Sequence, residues 1–517
     1  MKSIRFGLLL LLGLTPLSMT ARAAVRLPNV LSDHAVLQRG KPIHIWGWSS
    51  PDAHLTVHFH GQNVATTADS VGEWSAWLKP EAAGGPYTLT VTGDGPAVKA
   101  TDIMMGDLWF AGGQSNMQIP LDGFPGSAVI KNAREEIANA THPNMRLLLV
   151  SLKSSPYPLN DTPDKWEMCT PATAQHFSAV AYFFGRELAE KEHVTVGLID
   201  STWGGTPIGS WISMDTLGRS PQLLPAFLSR AKFADGLERA QLEIAQEKKE
   251  DAAARAAGKP IPPHPWHPAQ ESWIPSDLYN GMIAPFTPLQ IRGVIWYQGE
   301  NNTGKGWAEY YSTAFPAMIR DWRMHFAQGN FPFLFVQISS YYSPGEDWGM
   351  IRDAQRRTLR VANTAMAVSL DKGLRNNIHP PDKQTVGHRL ALAAEHLSYG
   401  ADVAYQSPLF RQATTEQMPN GTTAMRVWFN HAQGLTSRGK PLTGFELAGA
   451  NRQFVPAQAK IEGDTVVVWS AAMPHPKYVR YGWGSYVSSY LYNAAGLPAS
   501  TFTSEKYPKY QAEAPAK

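Results

Sequence analysis

A chain of 517 residues is too long for one hydrophobic core and is expected to divide into two to four domains, at about 100–200 residues each. Its hydrophobic content of 43% and charged content of 17% fit a globular protein, and it is rich in aromatics, with 17 Trp and 18 Tyr. The formal charge of +3 does not argue for nucleic acid: Lys2, Arg5 and Arg22 all lie in an N-terminal leader, the remainder holds 43 basic and 43 acidic residues, and no basic tract is present.

The leader is read from its pattern. Lys2 and Arg5 precede the apolar stretch "FGLLLLLGLTPLSM", and "ARA" at 21–23 supplies small residues for cleavage after Ala23. Residues 1–23 are therefore expected to be a signal peptide, and the mature protein to be exported, periplasmic or secreted, from a Gram-negative bacterium. The apolar stretch is too short for a comfortable membrane span, and no later one is long enough. Cys169 is the single cysteine, so no internal disulfide is expected.

Residues 24–104 alternate apolar and polar, as in "IHIWGW", "LTVHFH" and "YTLTVTG", between turns such as "SSPDA" and "GDG". A small N-terminal β-sandwich is expected there. From 105 the runs become continuously apolar: "DLWFAGG", "VTVGLIDSTWGG", "IRGVIWYQGE", "FPFLFVQIS" and "TAMAVSLD". Such runs suit strands covered on both faces. Helical stretches lie between them, so residues 105–404 are expected to form an α/β domain around a parallel sheet, with its ligand site beyond the carboxyl ends of the strands. Residues 220–270 interrupt this pattern with a polar helical insertion and the arm "PIPPHPWHP". His264 and His267 in that arm lack a carboxylate cluster in sequence, and no metal is expected. Alternation returns in "AMRVWFN" and "DTVVVWS", and residues 405–517 are expected to form a further β region packed on the catalytic domain.

Three of the strand ends and loops carry reactive groups. In "GDLWFAGGQSNM" the apolar run ends at Ser115, on a strand–turn that resembles a nucleophile elbow without the GxSxG spacing. A serine nucleophile needs a histidine in reach, a group to orient it, and donors for the oxyanion. His379, in "NNIHPPDK", sits on a loop that its prolines keep out of helix. His388, inside the following helix, is its competitor. Glu300, in "WYQGENN", is the carboxylate at a strand end.

The motifs "GQSNM", "STWGGTPIGSW", "LYNGMIAPF", "GVIWYQGENN" and "DKGLRNNIHPPDKQTVGHRLALAA", in this order, resemble the bacterial sialate O-acetylesterase family. That family is related to the acetylxylan esterases of the SGNH-hydrolase superfamily, and the resemblance spans about residues 24–510. It implies a flavodoxin-like SGNH domain flanked by β-sandwich-like domains, and metal-independent removal of O-acetyl groups from carbohydrate. It makes Ser115 the nucleophile and His379 the general base. The N–H groups of Ser115 and Gly205 would face the oxyanion, joined by the amide of Gln298 or, alternatively, Asn301, with Asn116 shaping the elbow. Many SGNH enzymes carry an aspartate three residues before the histidine; here that position is Asn376. Glu300 is the expected acid, with Asp371 in reserve.

The expected partner is an acetylated oligosaccharide or polysaccharide, with plant xylan or xyloglucan preferred and O-acetyl sialic acid as the alternative. Two rivals stand beside the esterase. A glycoside hydrolase would pair Glu300 with a second carboxylate such as Asp371, and a carbohydrate-binding protein would carry a dead site.

Overall fold

The sixteen residues Val98–Gly113 form one uninterrupted strand in the computed structural model, which describes residues 24–506 apart from 263, 265, 266, 268, 489 and 490, with side chains at 229–240 and 270 also left undescribed. The expected leader lies outside the described residues. Along this strand the burial pattern changes. Exposed or half-buried residues interrupt the buried ones up to Met105, and from Gly106 every residue is buried. The first half pairs with Gly84–Thr92 and Val36–Gln38 of the N-terminal β region. The second half runs through the centre of a parallel sheet. The change of texture at 104/105 thus falls within a continuous strand: what changes there is the number of covered faces.

The sheet runs Thr364–Val368, Phe333–Gln337, Gly293–Tyr297, Val98–Gly113, Val196–Thr202, His142–Leu149, Glu167–Cys169. All neighbours are parallel except the last pair. Without that edge pair, the strands follow the doubly wound order 2-1-3-4-5, whose ligand site lies at the carboxyl ends beside the first strand. Neighbouring residues show why the stretch Leu108–Ala111 of this strand is apolar. Trp109 packs edge-on to Phe184 of the helix Ala179–Glu192, with ring centroids 5.0 Å apart. Phe110, on the opposite face, meets Trp322 and Phe326 of the helix Trp307–Phe326. Side chains packed between helices on both faces of a sheet are predominantly apolar.

The helical insertion is built around Pro225–Ala256. Its proline-rich arm folds back along that helix, where His264 meets Asp251 at 2.8 Å and His267 meets Glu247 at 3.0 Å. Each histidine has its own carboxylate, and among the described residues no three His, Cys, Asp or Glu side chains gather as a metal site. The C-terminal β region consists of two four-stranded sheets. Arg352, fully buried on the helix Trp348–Thr358, ties it to the catalytic layer by donating to the carbonyls of Gly482, Gly484 and Ser485. Among the described residues no helix is long and apolar enough to cross a membrane. Cys169 is buried, and burial pushes its thiol up to about 12.

Candidate active site

The central strand ends where side chains no longer fit. Gly113 has φ +140°, and a Cβ there would lie 2.2 Å from the Tyr297 carbonyl of the adjacent strand. Gln114 closes the turn with its N–H on the Tyr297 carbonyl at 3.0 Å, and Ser115–Gln118 forms a single helical turn. Ser115 stands at the first position of that turn, so its N–H has no acceptor within the turn.

Two further strand ends converge on it. The chain leaving Val196–Thr202 donates from Trp203 N–H to the Gly113 carbonyl at 3.1 Å. Gly204 then donates to Gln118 Oε1 at 2.8 Å, and Gly205 adopts φ +71°, a left-handed conformation that glycine takes at low cost. A Cβ on Gly204 would lie 3.2 Å from the Ser115 Cβ, so this loop packs directly against the serine. On the other side, Gly293–Tyr297 leads into Gln298–Asn302. Among the described residues, neither the Ser115 nor the Gly205 N–H has a hydrogen-bond acceptor.

His379 arrives from the loop before the helix Lys383–Tyr399. Its N–H donates to Asn377 Oδ1 at 2.8 Å, and Asn377 Nδ2 donates to the Ser127 carbonyl. Its Nε2 lies 3.0 Å from Ser115 Oγ. Desolvation and the nearby Lys383 cation push the half-buried imidazole down to about 4, so it is neutral at pH 7. A neutral imidazole in contact with a hydroxyl can take its proton. His388 is on the surface, paired with Glu187 at 2.9 Å, and has no part in this contact.

Three expectations about supporting residues need correction. Asp371, the reserve acid, is held by Arg389 through two bonds of 2.7 and 2.9 Å. Gln298 has no N–H left for an oxyanion: its Nε2 donates to the Thr206 carbonyl at 3.1 Å and to Asn302 Oδ1 at 2.8 Å. Asn301, the alternative, is the amide that reaches the glycine loop, donating to the Gly205 carbonyl. Glu300 is brought to the site, but no hydrogen bond joins it to the His379 ring among the described residues. Its Oε1 accepts from Asn116 Nδ2 at 2.6 Å, and its buried Oε2 has no hydrogen-bond partner. Burial raises the Glu300 carboxyl above its ordinary range.

Asn116 is the hub that sequence reasoning under-read. Besides Glu300, its Nδ2 donates to the carbonyl of Ile378, the residue before the histidine, at 3.0 Å. Its Oδ1 accepts from the ammonium of Lys383. Lys383, 1% exposed, was missed; its only sequence signal is its position four residues after His379, at the start of a helix. A cleft of about 1030 Å³ elsewhere, walled by Trp46, Trp48 and Trp74, takes in none of Ser115, Glu300 and His379.

A doubly wound α/β sheet with a serine and a neutral histidine in contact at its switch point defines a carboxylic ester hydrolase. The comparisons agree. Residues 257–396 match the model of the family described as carbohydrate esterase, sialic acid-specific acetylesterase. The chain is 31% identical to the human sialate O-acetylesterase, covering 75% of this chain and 74% of that protein. It is 29% identical to the rat sialate O-acetylesterase over 96% of this chain and 97% of that one. A crystal structure of a carbohydrate acetylesterase from Xanthomonas citri is 35% identical, with a TM-score of 0.78, covering 94% of this chain and all of that one. The chain belongs to the sialate O-acetylesterase family and is a carbohydrate O-acetylesterase.

Proposed function

We propose that this esterase removes acetyl groups from acetylated plant hemicellulose, xylan or xyloglucan, with Ser115 as nucleophile and His379 as general base. The observation that carries the chemistry is the 3.0 Å contact between Ser115 Oγ and His379 Nε2 at the carboxyl end of the central strand. His379 takes the hydroxyl proton as Ser115 attacks the acetyl carbonyl. The tetrahedral oxyanion is met by the N–H groups of Ser115 and Gly205, with Asn301 supporting the Gly205 peptide through its carbonyl. The sugar oxygen leaves with the proton from His379. Water, deprotonated by the same imidazole, then splits the acetyl-serine and releases acetate.

The strand order 2-1-3-4-5 supports reading the domain as an SGNH-type, flavodoxin-like hydrolase. The leader pattern at 1–23 supports export to the periplasm or medium. The glycosidase reading is disfavoured because Asp371 is tied to Arg389, which leaves Glu300 without that partner. The likeness to the bacterial carbohydrate acetylesterase, at 35% identity, supports an acetylated carbohydrate as the substrate class. The match over 257–396 and the names of the mammalian relatives favour a second reading, O-acetyl sialic acid.

Acetate release from acetylated xylan, acetylated xyloglucan and O-acetyl sialic acid, measured side by side, decides between them. The first reading requires faster turnover of either hemicellulose than of the sialic acid; the reverse order overturns it. Ser115→Ala should abolish p-nitrophenol release from p-nitrophenyl acetate in a folded protein. Wild-type rates in that variant would remove Ser115 from the mechanism.

A further inference from the structure

Behind the serine and histidine lies a buried chain of three polar side chains, Glu300, Asn116 and Lys383, of which the ester chemistry proposed above uses none directly. We propose that Lys383 is a positioning residue: by donating to Asn116 Oδ1 it fixes which way the Asn116 amide faces, and so locks the loop of His379 to the turn of Ser115. The inference rests on Ser115 and His379 being nucleophile and base.

The geometry leaves the amide one orientation. An ammonium group only donates, so the atom of Asn116 that faces Lys383 Nζ must be the oxygen. The NH2 group is then directed at two acceptors, Glu300 Oε1 at 2.6 Å and the Ile378 carbonyl at 3.0 Å. Were the amide reversed, its oxygen would confront a carboxylate and a carbonyl. Asn116 adjoins Ser115 in sequence and Ile378 adjoins His379, so one buried amide couples the two reacting groups. Asn116 is completely buried and Glu300 is 6% exposed, so water does not substitute readily for any link.

Lys383 also sets the charge around the histidine. The charged and titratable groups near it are Glu300 beyond Asn116, Asp382 at the start of its own helix, the Tyr297 ring at 5.6 Å, and His379. Burial pushes Lys383 down to about 7, so it is a cation across the acid range where His379 titrates. There it opposes protonation of the imidazole, which keeps the base in its working form.

Three variants, assayed for kcat, KM and the pH dependence of kcat/KM on p-nitrophenyl acetate, test this: Lys383→Met, Asn116→Ala and the double variant. The expected results are a fall in kcat of roughly tenfold to a hundredfold for Lys383→Met with little change in KM, and an acid limb moved to higher pH. In the double variant kcat should match the worse single one, because both substitutions break the same link. Multiplying losses, or a Lys383→Met enzyme whose acid limb stays in place, would overturn the proposal. If Lys383→Met does not fold, Glu300→Gln/Lys383→Met removes both buried charges together. Compared with Glu300→Gln alone, its acid limb should still move up, and an unmoved limb again overturns the idea. Ser115→Ala, run alongside, keeps the two questions apart. Activity in that variant defeats the nucleophile assignment, whereas an inactive Ser115→Ala beside an unshifted Lys383→Met defeats only the role given to Lys383.

Discussion

Arg389 grips the carboxylate of Asp371 through both terminal nitrogens, at 2.7 and 2.9 Å, with both side chains almost fully buried. Removing one member of such a pair leaves the other charge stranded in a low-dielectric site. Asp371→Asn is therefore expected to cost about 3–5 kcal/mol of stability, read as a lower midpoint in thermal or denaturant unfolding. The fraction that remains folded should keep kcat within a few-fold of wild type. A large selective loss of kcat with unchanged stability would return Asp371 to the catalytic role that its chain position first suggested.

The second expectation concerns pH. A general base works unprotonated, and His379 is pushed down to about 4 by burial and by Lys383. Because the shift is downward, the neutral imidazole persists below the pH at which an ordinary histidine is half protonated. The limb of kcat/KM on the acid side belonging to His379 should thus lie well below the ordinary value of about 6.5, with activity lost as pH falls toward about 4. A pH–rate profile on a small acetyl ester measures it, and a midpoint at or above the ordinary value contradicts the environment described for the ring.

A methyl group beside the serine makes a third test. A Cβ on Gly204 would sit 3.0 Å from Gln118 Oε1 and 3.2 Å from the Ser115 Cβ. Both contacts are tight, so Gly204→Ala should displace the nucleophile by a fraction of an ångström. The expected outcome is a fall in kcat of roughly tenfold to a hundredfold, with near wild-type thermal stability. Unchanged kcat would mean that the turn absorbs the methyl elsewhere.

The fourth test concerns how the C-terminal sheets are held. Arg352 donates to three backbone carbonyls that have turned inward, and burial pushes its guanidinium down to about 9. Arg352→Leu should cost about 2–4 kcal/mol through those unsatisfied carbonyls. Limited proteolysis should then cut within 405–506 well before it cuts the catalytic sheet. Simultaneous loss of both regions would show that the C-terminal sheets are not independently released.

How much of this could be read beforehand differs between parts of the site. Ser115 was legible because the apolar run ending in Gly112-Gly113 announces a doubly covered strand, and the turn after such a strand lies at the carboxyl edge of the sheet, where ligands bind. His379 was legible because adjacent prolines forbid helix there. The acid was not. Distance along the chain says which residues lie on a loop, but not whether a neighbour such as Arg389 has already claimed the carboxylate. Gln298 and Asn301 are three residues apart and chemically alike. Only the direction of each amide, inward to Thr206 and Asn302 or across to Gly205, tells them apart. The strand boundaries were similarly opaque at 104/105, where alternation gives way without the chain itself turning or breaking.

The strand Val98–Gly113 has a mechanical consequence. It is a tie-rod with one end woven into the N-terminal β region and the other ending two residues before Ser115. The N-terminal β region cannot be excised at residue 104 like a bead from a string, because the cut would halve the rod on which the serine is mounted. A shortened version of this enzyme must either leave those sixteen residues whole or supply a new partner for their exposed flank.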